Sequence, residues 1–130
     1  IDILVVISMS LLESGENYLE TILMLSKTQK DVHAIDIVNH LGFSKPSVSI
    51  MLKKLKEDGY LTIDSNSHIF LTIQGRSVAE KILNRHTILT ELFIKIGVNP
   101  TTAEEDACKI EHDLTDETFN ALIELNKKLD

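Results

Sequence analysis

The sequence predicts a mainly α-helical protein, an N-terminal winged helix-turn-helix followed by a second, wholly helical domain. Three observations predict it. First, Val48, Met51, Leu52 and Leu55 recur at i, i+3, i+4 and i+7 directly after the short Gly42-Phe43-Ser44 turn. Second, two short β-branched and aromatic runs follow at once, Tyr60-Leu61-Thr62-Ile63 and His68-Ile69-Phe70-Leu71, joined by the turn-like Asp64-Ser65-Asn66-Ser67. Third, everything after Thr72 reads as helix, with capping residues at its breaks. The domain boundaries that follow are residues 9–72 for the winged helix-turn-helix and 73–130 for the helical domain.

Taken in order, Glu16 to Lys27 predicts a helix with Tyr18, Leu19, Ile22, Leu23 and Leu25 on its apolar face and Ser14 as N-cap. Val32 to Leu41 predicts a second, with Ile35, Val38 and Leu41 on one side and Gly42 at the C′ position that needs positive φ. Ser44 can cap the third, and Pro46 sits in its first turn, where a missing N–H costs nothing. Gly59 ends it. Thr72 can cap a long helix to about Ile96, with Val78, Ile82, Leu83, Leu89 and Phe93 apolar. Gly97 and Pro100 close it. Thr101 or Thr102 caps a helix to about Leu114, and Thr115 caps the last, which carries Phe119, Leu122, Ile123 and Leu125. Residues 1–8 precede Met9 and are as readily an upstream extension as an ordinary helix start.

Composition narrows the function. With 130 residues, 43% hydrophobic and 25% charged, the chain is globular rather than disordered. No tryptophan and 5% aromatics argue against stacking platforms for bases or sugars. No run of 18 apolar residues exists to span a membrane as a helix. One cysteine cannot form an internal disulfide and fits a reducing, cytoplasmic setting. The net charge of −7 is unevenly spread: residues 30–63 hold five lysines against four acids, while residues 98–130 hold nine acids against three lysines. One segment is suited to an anion and the other to a cation.

The anion-facing candidate is Ser44 to Lys56. In a helix-turn-helix, the start of the second helix enters the major groove of double-stranded DNA. Here that start offers Ser44, Lys45, Pro46, Ser47 and Ser49, and Lys53, Lys54 and Lys56 can neutralise phosphates. A lysine cluster alone is usually a solvated face, but the hairpin that follows makes DNA binding the better reading. No Arg, Asn or Gln lies on this helix for bidentate base recognition, so readout should rest on small polar and apolar contacts and on DNA shape.

The cation-facing candidate is Cys108-x-x-Glu111-His112. A helix places i, i+3 and i+4 on one face, and a divalent transition metal accepts thiolate, carboxylate and imidazole. Alone the triplet is weak, since a lone Cys is often a small buried hydrophobe. His86, among apolar residues of the long helix, needs a polar partner. Asn17 and Glu20 give a second i, i+3 pair of oxygen donors. His33, His40 and His68 fit surface or phosphate-proximal places better than ligation.

The run Glu16-Asn17-Tyr18-Leu19-Glu20-Thr21-Ile22, then Leu41-Gly42-Phe43-Ser44-Lys45-Pro46-Ser47-Val48, then Arg85-His86, then Glu105-Asp106-Ala107-Cys108-Lys109-Ile110-Glu111-His112 resembles the diphtheria-toxin-repressor family of metal-dependent bacterial transcription regulators. The resemblance runs from about Leu11 onward. It implies a winged helix followed by a helical metal-binding and dimerisation domain, in the short form without an SH3-like domain. It implies a cytoplasmic homodimer that binds operator DNA when a divalent metal is bound. By resemblance, Cys108, Glu111 and His112 fall on the main ligand segment and His86 on the ligand of the long helix. Asn17 falls where iron-type members carry Met and manganese-type members Asp, and Glu20 on a manganese-type carboxylate. Cys108 is the iron-type choice. Glu104 stands where the iron type has an ancillary His, and Thr90 where both types place Glu. The mixture favours iron(II) as effector, with manganese(II) second. The alternatives are a winged-helix regulator of a non-metal signal and a small metal-dependent enzyme. The latter lacks a His-Glu-x-x-His, a nucleophile elbow and a Gly-rich phosphate loop.

Overall fold

The computed structural model describes the backbone of residues 3–130 and the side chains of residues 13–130. The possible upstream extension, residues 1–8, lies outside the residues whose side chains are described. Six helices and one hairpin follow in the order α1 (Ile3–Thr28), α2 (Ala34–Leu41), α3 (Lys45–Glu57), β1 (Leu61–Ile63), β2 (Ile69–Leu71), α4 (Ile73–Lys95), α5 (Pro100–Ile110) and α6 (Asp116–Lys128). The chain divides into two compact units, residues 1–80 and 81–130, with the break inside α4.

The first unit is the winged helix-turn-helix. Its core takes Tyr18, Leu19, Ile22 and Leu23 from α1, Ile37 from α2, Val48, Leu52 and Leu55 from α3, and Leu61 and Ile69 from the hairpin. The stripe expected on α3 is therefore the buried one, with Met51 at its edge. Ser44 caps α3 by accepting the Ser47 N–H at 3.3 Å, and Pro46 occupies the first turn. Gly42 takes φ 74° and its N–H reaches Val38 O, which turns the chain out of α2 and into α3. Phe43 at the tip of that turn stacks on Tyr18 of α1, centroids 6.0 Å apart, and so fixes the turn to the core.

Three boundaries differ from expectation. α1 begins at Ile3, so Ser14 lies inside the helix and is not its cap. α2 begins at Ala34, with His33 at the N-cap and its N–H donating to Asp36 Oδ2 at 2.8 Å. Its buried residue is Ile37, while Ile35 faces solvent, because the spacing i, i+3, i+6 drifts off a 3.6-residue turn. In the second unit Asn99, not Thr101 or Thr102, caps α5, accepting the Thr101 N–H at 2.9 Å.

The wing is a two-stranded antiparallel pair in which Leu61 faces Leu71, Thr62 faces Phe70 and Ile63 faces Ile69. Asp64 makes its turn: one carboxylate oxygen accepts the N–H groups of Asn66 and His68, both at 2.9 Å. Those bonds, the N–H of His68 first, hold the Asp64 carboxyl below its usual range. The Ile69 N–H donates to Val32 O at 2.8 Å and ties the hairpin to the segment before α2. Thr72 joins wing to α4. Its hydroxyl donates to Gly59 O at 2.7 Å and accepts the Gly75 N–H at 3.1 Å.

Gly75 is required by contact. A Cβ there would stand 1.9 Å from the Tyr60 carbonyl oxygen, a backbone atom that cannot yield. Gly75→Ala should therefore destabilise the protein by about 3 kcal/mol, the upper range for overpacking. Gly15→Ala, whose Cβ would make an ordinary 3.5 Å contact with Leu55 inside α1, should be neutral or stabilise by up to about 1 kcal/mol. Urea unfolding of the two variants beside the parent checks the contrast, and equal effects would remove the contact argument.

Candidate metal centre and nucleic-acid interface

In the second unit, Leu89 of α4, Ala107 of α5 and Phe119 of α6 form the core, with Ile88, Phe93, Ile110, Leu114, Leu122 and Ile123 around it. Leu125, expected on the apolar face of α6, is 42% exposed. The buried stripe of α4 runs Ile82, Arg85, Leu89 and Leu92. Arg85 is the charged member of that stripe. Its Nη1 donates to Glu111 O at 3.1 Å and Leu114 O at 2.6 Å, and its Nη2 to Asp116 Oδ1 at 2.8 Å. Its guanidinium also lies 5.2 Å over the Phe119 ring. One side chain thus ties down the last carbonyls after α5, where a helix end leaves acceptors unmatched. Sequence reasoning passed over Arg85. The signal was present, a charge at helical spacing between Ile82 and Leu89, where a guanidinium must find several acceptors or not be buried.

The loop that Arg85 holds carries the candidate ligands. α5 ends at Ile110, so Glu111 and His112 lie in the turn beyond it, not in a helix to Leu114 as expected. Glu111 keeps helical dihedrals and is fully buried. Its Oε2 is 2.9 Å from His86 Nδ1, and its Oε1 is 3.4 Å from His112 Nε2. His86 Nε2 in turn is 3.9 Å from Glu104 Oε1. The second unit therefore brings His86, Glu111 and His112 together, with Glu104 beside them. A carboxylate facing Nδ1 sets a neutral imidazole as the Nδ1–H tautomer and leaves the lone pair on Nε2, an arrangement typical of metal-ligating histidines. Cys108 is exposed on α5, and Glu111, three residues on, is buried. Thr90, at the position where the resembled family carries Glu, donates its hydroxyl to His86 O at 2.7 Å. In the first unit, Glu20 is buried and Asn17 half-buried, one turn apart on α1.

The fit to a cation rests on one atom. Glu111 Oε1 is buried without a hydrogen-bond partner among the described residues. A buried carboxylate oxygen left so is costly, and a divalent ion is the chemistry that satisfies it. Two imidazoles and two carboxylates form a nitrogen-oxygen donor set suited to first-row divalent metals.

On the first unit, Ser44, Lys45, Pro46, Ser47, Ser49, Lys53 and Lys54 are all exposed, as is Lys56. Ser44 is already engaged: besides capping, its hydroxyl donates to Ser47 Oγ at 2.8 Å. The lysines available for phosphate contact are Lys45, Lys53, Lys54 and Lys56, with the exposed Glu57 one turn on from Lys53 and Lys54. Of the three outlying histidines, His68 lies 3.6 Å from Asp31 and 3.4 Å from Asp64, and packs edge-on against His33 at 4.7 Å.

Arg85→Ala should destabilise the protein by about 3 kcal/mol, because it strands the buried Glu111 carbonyl, at about 1–3 kcal/mol for such a group, and the partly buried Leu114 carbonyl. Arg85→Lys should recover only part, lacking the planar fork. Chemical denaturation of metal-free protein is the measurement, and a near-neutral Arg85→Ala would show the loop is held by other contacts. Asp116 is held below its usual carboxyl range by Lys81 first and Arg85 second. A depressed folded-state value contributes stability above the ordinary carboxyl range and loses it as pH falls through the depressed value. Asp116→Asn should therefore change stability at pH 7 but not at a pH below that value.

Comparison with known proteins matches this architecture. Residues 10–69 match the iron dependent repressor N-terminal DNA binding domain, and residues 72–130 its metal binding and dimerisation domain. The transcriptional regulator MntR of Escherichia coli O157:H7 is 32% identical over 106 residues, covering 82% of this chain and 68% of that protein. An HTH-type transcriptional regulator of Methanocaldococcus jannaschii, MJ0568, is 33% identical over 112 residues, covering 85% and 90%. Among solved structures, the manganese regulator SloR superposes with a TM-score of 0.79 at 24% identity over 87% of this chain. The chain spans about half of that one, 53%. No helix among the described residues is long and apolar enough to cross a membrane. The chain belongs to the iron-dependent repressor family, that of the diphtheria-toxin repressor, whose members are metal-responsive DNA-binding transcription regulators.

Proposed function

We propose that this chain is a cytoplasmic, homodimeric repressor of iron or manganese homeostasis genes, not an enzyme, and that a divalent metal switches on operator binding. The observation that carries the reading is the buried Glu111 carboxylate, set between His86 and His112 with one oxygen making no hydrogen bond among the described residues. His86, Glu104, Glu111 and His112 are the donors of the helical domain. Asn17 and Glu20 are the donors of the DNA-binding domain, and Cys108 adds a thiolate. A bound ion shifts the protein toward the arrangement that binds DNA. It can do so only by its differential affinity for that arrangement. Ser44, Lys45, Pro46, Ser47, Ser49, Lys53 and Lys54 meet the operator, the lysines at phosphates and the short residues near base edges.

The preferred ion turns on Cys108. Its thiolate favours iron(II), and Asn17 removes one charge that a hard ion would use. Glu20 and the buried nitrogen-oxygen set of His86, Glu111 and His112 favour manganese(II), since Cys108 is exposed. Iron(II) is the effector if Cys108 ligates, and manganese(II) if it does not.

Duplexes enriched from a randomised library by metal-loaded protein supply the DNA. Iron(II), under anaerobic conditions, or manganese(II) should tighten binding to such a duplex by about 5- to 150-fold, the usual range of allosteric coupling. Glu111→Gln should abolish that gain while leaving weak metal-free binding. Equal affinity with and without every divalent metal would favour a regulator of a non-metal signal. Cys108→Ser separates the two ions: an iron-specific loss assigns the thiolate to the ion, and no change makes manganese(II) the effector.

Binding should also be steep in salt despite the net charge of −7. Lys53→Ala with Lys54→Ala removes four cations per dimer and should flatten the log–log slope by about three to four units. An unchanged slope would mean these lysines do not face phosphate. The exposed Ile94, Ile96, Leu125 and Leu129 give the helical domain apolar surface for self-association. Sedimentation of metal-loaded protein should give about twice the 14.6 kDa chain mass.

A further inference from the structure

The outward face of α3 carries one large apolar side chain. Ile50 is 71% exposed. At 100° per residue it lies roughly 190° around the helix from the mean direction of the buried Val48, Leu52 and Leu55. It and the exposed Glu57, two turns further along the helix, are the residues aimed most directly away from the core. Pro46 and Lys53 flank it on one side, and Ser47 and Lys54 on the other, all exposed. A lone exposed aliphatic is ordinary on a protein surface. This one sits at the centre of the face that carries the phosphate-binding lysines. The same helix has no Arg, Asn or Gln to read a base edge, and its Ser44 hydroxyl is spent on Ser47.

From this placement we propose that Ile50 is a specificity-determining residue that reads the 5-methyl group of a thymine in the major groove. The inference rests on the DNA-binding reading above. Isoleucine has no donor or acceptor, so the one base-edge feature it can favour is the methyl group, which only thymine presents. Flanking lysines at two phosphates would hold the helix close enough for that contact, and Ile50 would exchange its exposed surface for contact with the methyl.

Duplexes are first enriched from a randomised library by the metal-loaded protein. Each thymine is then replaced singly by deoxyuridine, which removes the methyl and keeps the pairing and the O4 acceptor. Wild type should lose about fourfold at one thymine in each half-site, the worth of one buried methyl. Ile50→Ala should bind the parent duplex correspondingly less and show no loss at that deoxyuridine, while thymines elsewhere behave as in wild type. The exposed side chain can be truncated without disturbing the core, and lysine-dependent salt sensitivity should be unchanged. Ile50→Gln, put through the same enrichment, should exchange the thymine preference for adenine at that position. If Ile50→Ala is as sensitive to each deoxyuridine as wild type, or wild type is sensitive at none, the assignment is wrong. A library from which no duplex is enriched sinks the DNA-binding reading, and this one with it.

Discussion

The helical domain is organised around a carboxylate that has no business being dry unless something positive joins it. Glu111 is completely buried. Desolvating a carboxylate costs several kcal/mol, and proteins recover that cost only through charge partners and full hydrogen bonding. His86 stands 2.9 Å from one oxygen and His112 Nε2 3.4 Å from the other, which makes no hydrogen bond among the described residues. The loop could relieve the cost by turning Glu111 outward. Arg85 prevents this by gripping the carbonyls of Glu111 and Leu114, so the backbone cannot rotate without stranding a buried guanidinium as well. Arg85 thus holds the Glu111 backbone in place and keeps its carboxylate buried between His86 and His112.

The same contrast between held and unsatisfied groups separates the two ends of the chain. In the helix-turn-helix nearly every local polar group has a partner. Ser44 caps α3, Asp64 closes the wing turn, and Thr72 fastens the wing to α4. That rigidity presents Lys45, Lys53, Lys54 and Lys56 as a fixed array, which matters because phosphate contacts set register only when their spacing is fixed. The acidic C-terminal third repels DNA phosphate, yet screening confines that repulsion to roughly 10 Å at moderate salt. A chain of net charge −7 can thus bind a polyanion through one helix.

Most of the architecture was legible in the sequence because it is written in local rules. The stripe Val48, Met51, Leu52, Leu55, the positive φ at Gly42 and the caps at Ser44, Thr72 and Thr115 depend only on neighbours within a turn or two. Where local signals compete, the reading slipped. Asn99 and Thr101 are both good caps, and Pro100 decides for Asn99 by taking the first helical position. Ile35 and Ile37 are equally apolar, and only the packing of α2 selects Ile37. In the candidate site, spacing put Glu111 and His112 forward as a pair, and the apolar setting of His86 called for a polar partner, which the structure supplies in Glu111. The exposure of Cys108 and the grip of Arg85 were not legible, because both depend on where α5 stops. Arg85 fixes that stopping point from 26 residues away.

The burial of Glu111 bears on how a regulator of this family would sense metal. An ion that binds only the folded site stabilises it in proportion to the logarithm of free metal over the dissociation constant. Folding already places the Glu111 carboxylate between the His86 and His112 imidazoles. Preorganisation of this kind tightens binding by lowering the cost of assembling ligands. It also sharpens selectivity for charge over identity: any divalent ion that fits relieves the carboxylate. Discrimination among ions must then come from donors whose softness differs, and Cys108 is the only thiol in the chain. Its exposure keeps it apart from the buried carboxylate, so a thiolate that turned inward would add selectivity without being needed for stability. Metal sensing and metal choice would then reside in different residues, Glu111 for the first and Cys108 for the second.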